Sequence, residues 1–245
     1  MKTVIKLRFD GTNYCGWQVQ PNARSVQQTV QDALEARYGS RFTLTGCSRT
    51  DSGVHANEFV AHITGLDEKY VSSLVPALNS SLPDDIAVTE AFIADDSFHA
   101  RYSVKEKQYT YLIFCSCVKD PFLAHRAFRT VESIDIERAN ELCCFFTGRH
   151  DFAAFMASGS KIQDTVRTVS LFELRQDTRR EGLWALNVRA DGFLYNMVRI
   201  MAGTLLAAAG GKLSYTVPEI IEMKDRSNAG PTLPPYGLYL NKVFY

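Results

Sequence analysis

Long hydrophobic runs are missing from this sequence. No run of about 18 or more apolar residues occurs, which is the length that a membrane-spanning helix needs. Residues 1–9 alternate polar and apolar side chains from the start, whereas a signal peptide has a continuous apolar core. We therefore expect a cytoplasmic protein without a membrane partner.

Metal-binding patterns are missing as well. The 6 cysteines include no C-x-x-C pair, and none of them has zinc-type spacing with the 5 histidines. In a cytoplasmic protein such cysteines are reduced, and most of them are buried as small apolar side chains. We therefore expect no metal site.

The sequence also lacks an excess of charge of either sign, because 27 Lys and Arg residues balance 27 Asp and Glu residues. A neutral total counts against a nucleic-acid partner, since phosphate binding depends on Lys and Arg. It does not exclude one, because the distribution of charge matters more than the sum. Basic residues are frequent in the middle of the chain: Arg101, Lys105, Lys107, Lys119, Arg126 and Arg129.

The hydrophobic patterns of the 245 residues predict strands mixed with helices. We expect strands near 5–9, 42–47, 59–64, 86–92, 109–114, 166–174, 183–189 and 238–244, and helices near 26–37, 69–78, 136–146, 193–209 and 218–224. Strict alternation of strand and helix is absent, which favours an α+β fold with a largely antiparallel sheet. Residues 98–103 show no period, and we expect them to join two halves, 1–104 and 105–245.

One polar segment stands out among the predicted loops. Residues 48–56 read SRTDSGVHA and put a single carboxylate, Asp51, beside an arginine between two predicted strands. Asp and Gly favour a tight turn here, because Asp can bond to the backbone that follows it and Gly tolerates positive φ. Such a turn projects its Asp into whatever cleft lies at the strand end. Taken alone, a structural turn with a surface ion pair is the commoner explanation.

The segment is one of several that occur together in a known order. Residues 10–21 read DGTNYCGWQVQP, 98–103 read FHARYS, 107–111 read KQYTY, 192–199 read GFLYNMVR and 237–240 read GLYL. With residues 48–56, these blocks resemble the bacterial tRNA pseudouridine synthase A family over almost the whole chain. A single block could arise by chance, whereas a set in the family's order is specific.

The resemblance implies a pseudouridine synthase fold, with two similar α/β halves and a central cleft. It implies isomerisation of uridine in tRNA: the base leaves the ribose at N1, rotates and rejoins through C5. The family's preferred sites are positions 38–40 of the anticodon stem-loop. It further implies a homodimer in which one tRNA contacts both subunits, and a reaction without cofactor or metal, in line with the absence of phosphate-loop motifs.

The resemblance also implies roles for individual residues. Asp51 matches the family's essential Asp, which acts on the ribose either as a nucleophile at C1′ or by assisting proton removal at C2′. Both routes need the carboxylate ionised, near or below its reference pKa of about 3.9. Arg199 matches the arginine that pairs with this Asp, and an unpaired cation in its apolar helical stretch would be costly. Arg49 matches the arginine before the Asp. Tyr109 matches the tyrosine placed against the target base, where stacking offsets part of the cost of flipping.

Alternatives remain at several positions. Without the resemblance, Tyr109 would be explained as a cross-strand core aromatic. Four basic residues are candidate phosphate contacts, although each alone is more often a solvated charge: Arg24, Arg101, Lys105 and Lys107. The chain departs from the family pattern at Glu58, Phe59 and Asn196. These departures leave open a relative that modifies other tRNA uridines or rRNA.

Two other function classes fit these residues less well. A non-catalytic RNA-binding protein on the same scaffold would not need the set of Asp51, Tyr109 and Arg199. A glycoside hydrolase needs two carboxylates that flank the bond, and no second acid stands at a motif position.

Overall fold

The computed structural model describes residues 1–160 and 162–245. Its strands are β1 (Lys2–Phe9), β2 (Thr43–Gly46), β3 (His55–Thr64), β4 (Ile86–Ala94), β5 (Glu106–Cys115), β6 (Phe128–Thr130), β7 (Gly148–Asp151), β8 (Val166–Gln176), β9 (Leu183–Ala190) and β10 (Leu238–Phe244). Its α-helices are α1 (Val26–Tyr38), α2 (Val71–Asn79), α3 (Ile136–Cys143), α4 (Met197–Ala209) and α5 (Val217–Met223).

The chain divides into two compact units. The first consists of Met1–Lys105 with Tyr239–Tyr245, and the second of Glu106–Leu238. Most of β10 therefore lies with the first unit, whereas the sequence-based division put the whole of it in the second half. The reason is pairing: β10 runs parallel to β3, with Tyr239 opposite His55.

The sheet of the first unit is built around β1 and β3. β1 pairs antiparallel with both β3 and β4, so that Ile5 lies opposite Ala61 on one side and Ala91 on the other. β2 pairs antiparallel with β3. Ile5 and Leu7 are fully buried, as expected for the central strand of a sheet.

Helix α1 begins and ends as the sequence predicts. The Ser25 hydroxyl accepts a hydrogen bond from the N–H of Gln28 at 3.2 Å and caps the first turn. Gly39 follows the last turn with φ of +73°, a conformation that glycine adopts without steric cost. Val30 and Leu34 are fully buried on one face of the helix, which confirms the predicted apolar stripe.

The strands of the second unit pair mainly antiparallel. β5 pairs with β9, β9 with β8 and β8 with β7, while β6 lies parallel to β5. Its core is rich in aromatic contacts, with the ring of Phe146 stacked on Phe172 at 4.3 Å and edge-on to Phe155 at 5.7 Å. The predominance of antiparallel pairs in both units confirms the predicted α+β class.

Helix α4 was predicted to begin at Phe193, and this start is wrong. The helix begins at Met197, because Asn196 has φ of +60° and so interrupts a helical path. Asparagine is one of the few residues other than glycine that tolerate this conformation. The predicted end is confirmed, since the helix ends at Ala209 before Gly210. None of the described helices is long and apolar enough to cross a bilayer.

Residues 98–103 form a turn that is held from inside the first unit. The buried His62 of β3 accepts a hydrogen bond at Nδ1 from the N–H of Ala100 at 3.1 Å. The Tyr245 hydroxyl donates to the carbonyl of Ala100 at 2.8 Å. Burial lowers the pKa of His62 to about 4, and repulsion from His99 and Lys2 acts in the same direction. The imidazole is therefore neutral near pH 7 and can accept this bond.

We predict that the turn loses local stability as the pH falls from about 6.5 toward 4. His62 takes up a proton near its ordinary pKa of 6.5 when the turn opens, but only near about 4 when it is closed. Acid therefore favours the open form across this window, and the stabilisation is complete only above it. Hydrogen exchange of the Ala100 amide, corrected for its intrinsic pH dependence, measures the effect.

A matched variant is His62→Asn, which keeps an acceptor and removes the titration. Its Ala100 amide should show protection that does not change across the same pH window. Equal protection of the wild-type amide at pH 4.5 and pH 7.5 would contradict the prediction.

Candidate active site

Asp51 lies in the loop between β2 and β3. The N–H of Val54 donates to the carbonyl of Asp51 at 3.2 Å, and Gly53 has φ of +77°, so the predicted tight turn is present. The Asp51 side chain is partly exposed and that of Arg49 is exposed. The turn thus presents a carboxylate and a guanidinium within three residues.

The loop after β1 holds this turn through hydrogen bonds. The carbonyl of Tyr14 accepts from the N–H of Gly53 and from the hydroxyl of Ser52, both at 3.2 Å. The Tyr14 hydroxyl in turn donates to the carboxylate of Asp85 at 2.5 Å. The Tyr14 backbone is thereby anchored at the point where it supports the residues directly after Asp51.

Two glycines let the loop after β1 approach the turn more closely than any side chain would permit. A Cβ atom on Gly16 would lie 2.1 Å from the carbonyl oxygen of Thr50, and one on Gly11 would lie 2.0 Å from that of Val54. Real Cβ atoms do not come this close to an oxygen. The DGTNYCGWQ and SRTDSGVHA segments, separate in the sequence, are therefore one interlocked structure on both sides of Asp51.

The far end of the turn is fixed by His55. Its Nδ1 atom lies 3.0 Å from the N–H of Gly11 and 3.1 Å from a carboxylate oxygen of Asp10. The same Asp10 oxygen accepts from both the N–H and the hydroxyl of Thr12. The His55 ring is 2% exposed and stacks on Tyr239 of β10 at 4.6 Å. Sequence reasoning did not assign a role to this His55–Asp10 contact.

Glu58 and Phe59, two departures from the family pattern, both have internal partners. A Glu58 carboxylate oxygen accepts from the N–H of Val243 at 3.1 Å, which connects β3 to β10 beyond their backbone pairing. The Phe59 ring stacks on Trp17 at 4.0 Å, and a Cβ on Gly46 would lie 2.7 Å from that ring. Both side chains therefore stabilise the first unit.

In the second unit, Tyr109 lies on β5 opposite Val188 of β9. Its side chain is 6% exposed, and its ring meets that of Phe193 edge-on at 5.0 Å. The tyrosine is thus largely buried, and the contact with Phe193 helps to set the orientation of its ring.

Arg199 lies in the first turn of α4. Its Nε donates to the carbonyl of Leu233 at 2.7 Å, and its Nη1 donates to the Asn196 side-chain oxygen at 2.7 Å. The N–H of Leu233 donates back to the Arg199 carbonyl at 3.3 Å. The acceptors of these two bonds are neutral oxygens, and the bonds orient the guanidinium. The sequence showed Asn196 only as a departure from the family pattern, and its contact with Arg199 was not predicted.

The remaining basic candidates are spread over both units. Arg24 is exposed, lies 5.2 Å from the centre of the Tyr14 ring and lines an open groove of about 1110 Å³ in the first unit. Lys105 is exposed and donates to the carbonyl of Tyr245 at 3.2 Å, while Lys107 is partly buried on β5. Among residues 1–160 and 162–245 there is no cluster of three or more His, Cys, Asp or Glu side chains that could hold a metal ion.

We predict that Gly16→Ala destabilises the protein by about 1–3 kcal/mol more than Gly39→Ala. Both glycines have positive φ, +89° and +73°, so the backbone penalty for alanine is shared. Only at Gly16 does the new methyl group meet an atom, because nothing lies within 4 Å of a Cβ at Gly39. Denaturant unfolding measures the difference, and equal losses in the two variants would show that the loop yields without cost.

Comparisons with known proteins identify the family of this chain. The family model described as tRNA pseudouridine synthase matches residues 6–103 and 142–245. Proteins named tRNA pseudouridine synthase A are similar along their whole length. The one from Acetivibrio thermocellus is 42% identical over 98% of this chain and 97% of that protein. The one from Ruminiclostridium cellulolyticum is 40% identical over 100% and 99%, and the one from Thermoanaerobacter sp. is 43% identical over 99% and 98%.

A solved structure titled "Crystal Structure of a Cbf5-Nop10-Gar1 Complex" aligns with a TM-score of 0.35 and 12% identity, over 83% of this chain and 53% of that chain. That likeness is too distant to carry any argument. The family model and the full-length relatives show that this chain belongs to the tRNA pseudouridine synthase family.

Proposed function

We propose that this protein isomerises uridine to pseudouridine in tRNA, at positions 38–40 of the anticodon stem-loop. The observation that carries the proposal is the interlocked pair of loops that supports Asp51 on both sides, together with membership of the family. The reaction is balanced without a co-reactant. The N1–C1′ bond breaks, a C5–C1′ bond forms, and the proton lost from C5 is replaced by one gained at N1.

Asp51 is the proposed catalytic residue. Its carboxylate attacks C1′ of the ribose or assists removal of the C2′ proton, and each route requires the ionised form. A carboxylate whose turn is held by backbone contacts needs little reorganisation when the substrate arrives, and such preorganisation favours catalysis. Its partial exposure leaves it accessible to a nucleotide.

The other roles in the proposal follow from charge and ring chemistry. Arg199 pairs with Asp51 and keeps it ionised, and its bonds to the Leu233 carbonyl and the Asn196 side chain support this role because they orient the guanidinium. Tyr109 stacks on the target base, and Arg49 acts beside Asp51. Arg24, Lys105 and Lys107 bind RNA phosphates. We further propose a cytoplasmic homodimer, in which two modest basic surfaces form one groove for tRNA.

The experiment that tests the function is Asp51→Ala, with Asp51→Asn as the version that keeps the side-chain size. Because the carboxylate acts on the ribose, we expect turnover to fall by about 10³-fold or more while tRNA affinity changes by less than about threefold. Release of tritium from tRNA labelled at C5 of uridine reports the isomerisation directly. The exposed Asp84→Ala is the matched control and should be fully active.

Each alternative function predicts a different experimental result. Unchanged turnover in Asp51→Ala would refute the assignment of that residue. Pseudouridine maps of RNA from cells with and without the gene would be identical for a non-catalytic RNA-binding protein, and would differ in rRNA for an rRNA-modifying relative. Release of free uracil from RNA would indicate glycoside hydrolysis instead.

Asn196 is the proposed positioning residue for Arg199. Asn196→Gly keeps the positive φ and removes only the 2.7 Å bond to Nη1. A hydrogen bond to a charged group contributes about 1.5–3 kcal/mol, so we expect kcat to fall by about tenfold or more with little change in KM. The double-mutant cycle is decisive: in an Arg199→Ala background, Asn196→Gly should cost nothing further. Independent, additive losses would show that Asn196 acts only on the fold.

A further inference from the structure

The turn at residues 98–103 displays an aromatic ring and a cation on the surface of the first unit. The Tyr102 side chain is 77% exposed, and the Arg101 guanidinium lies 5.8 Å from the centre of its ring. We propose that these two residues bind an unpaired nucleotide of the RNA substrate, with its base on the Tyr102 ring and its phosphate on Arg101. This inference rests on the proposed function for its RNA partner, and it adds a contact that is separate from the reacting uridine.

The turn is rigid without help from the two displayed side chains. The Nδ1 of His99 lies 3.1 Å from the N–H of Arg101 and 3.2 Å from that of Tyr102. The N–H of His99 donates to the Ser103 hydroxyl, and the N–H of Ser103 donates to the His99 carbonyl, both at 2.9 Å. These bonds satisfy the backbone of the turn locally, so neither Arg101 nor Tyr102 is needed to close it.

The turn is also anchored to the interior. Ala100 is fully buried, and its N–H and carbonyl are taken by His62 and Tyr245. On the surface, the His99 ring lies 4.4 Å from that of Tyr102 at an angle of 33°. The aromatic ring is therefore held in place before any ligand arrives. Such preorganisation lowers the entropy cost of stacking.

An exposed aromatic beside an arginine is not by itself a binding site, as a second pair in this protein shows. Phe122 is also 77% exposed and lies 5.9 Å from the Arg180 guanidinium. Arg180, however, lies 3.4 Å from a carboxylate oxygen of Asp120, which neutralises it. Within the described part of the chain, Arg101 has no such carboxylate. Its charge is therefore available to a phosphate, and the exposed Lys105 follows nearby in the sequence.

The chemistry favours a single-stranded nucleotide over a base pair. A base can stack on a tyrosine only when its own face is open, which occurs in loops and not inside a duplex. Stacking on an aromatic ring accepts any base, so this contact contributes affinity and position without reading the RNA sequence. A stem-loop offers such open bases next to charged phosphates, and it therefore matches the Arg101–Tyr102 pair.

Tyr102→Ala tests the proposal in the full-length protein. We expect its tRNA affinity, measured by fluorescence anisotropy, to fall about tenfold, while Tyr102→Phe stays within about twofold because it keeps the ring. KM should rise as the affinity falls, and kcat should not change, since the contact does not involve the reacting atoms. Phe122→Ala is the matched control and should bind tRNA as the wild type does. For a fully paired RNA of equal length, Tyr102→Ala should have no effect.

Removal of the Arg101 charge has a separate effect that can be measured. Arg101→Ala should reduce the slope of log Kd against log salt concentration by about 0.7–0.9, as expected for the loss of one phosphate contact. An unchanged affinity in Tyr102→Ala, or equal losses in Tyr102→Ala and Tyr102→Phe, would overturn the inference. So would a change of sedimentation in Tyr102→Ala, because the residue would then contact a second copy of the chain.

The test separates this inference from the proposed function. If Asp51→Ala is inactive while Tyr102→Ala binds tRNA normally, the enzyme assignment stands and the nucleotide contact is overturned. If Tyr102→Ala loses affinity while the wild-type protein produces no pseudouridine, the contact stands and the activity fails. A wild-type protein that binds no tRNA would overturn both.

Discussion

The close approach of two backbone segments is the constraint on which the rest of the site depends. The carbonyl oxygens of Thr50 and Val54 occupy the space that side chains at Gly16 and Gly11 would need. Asp51 therefore sits between two points where main chain meets main chain. The position of Asp51 is therefore fixed by contacts of the main chain, and not by contacts of neighbouring side chains that could move. A catalytic carboxylate requires this kind of support.

The second unit holds its charge in a comparable way. Arg199 is oriented by one side-chain oxygen and one backbone oxygen, and its own carbonyl accepts from the Leu233 N–H. These bonds fix the direction of the guanidinium before a substrate arrives, and such preorganisation favours electrostatic stabilisation. Under the proposed function, each unit thus contributes one charged group that its own packing has already oriented. The two units orient their charged groups differently. The first unit relies on glycines that allow close backbone contact, and the second relies on an asparagine at positive φ.

Local signals in the sequence predicted the elements well, and distant contacts explain the errors. The predicted bounds of α1 and the predicted end of α4 are close to those observed, because Ser25 and Gly210 lie within a turn of the residues that they act on. The predicted start of α4 was wrong because a hydrophobic pattern does not show the backbone conformation of Asn196. That conformation is accompanied by a hydrogen bond from the Arg199 side chain. Glu58 could not be understood from its neighbours, since the N–H that it accepts belongs to Val243, 185 residues away.

The place of β10 in the sheet has a consequence for biosynthesis. This strand brings Tyr239 to the His55 ring, and the residue that follows it, Tyr245, bonds to Ala100. Tyr239 and Tyr245 emerge from the ribosome only after the whole second unit has been translated, whereas His55 and Ala100 precede that unit. A nascent chain can form β1, β3 and β4 early, but the supports of His55 and Ala100 form only once β10 has been made. Maturation of the Asp51 loop therefore waits for translation of the second unit and β10, although the loop itself precedes both.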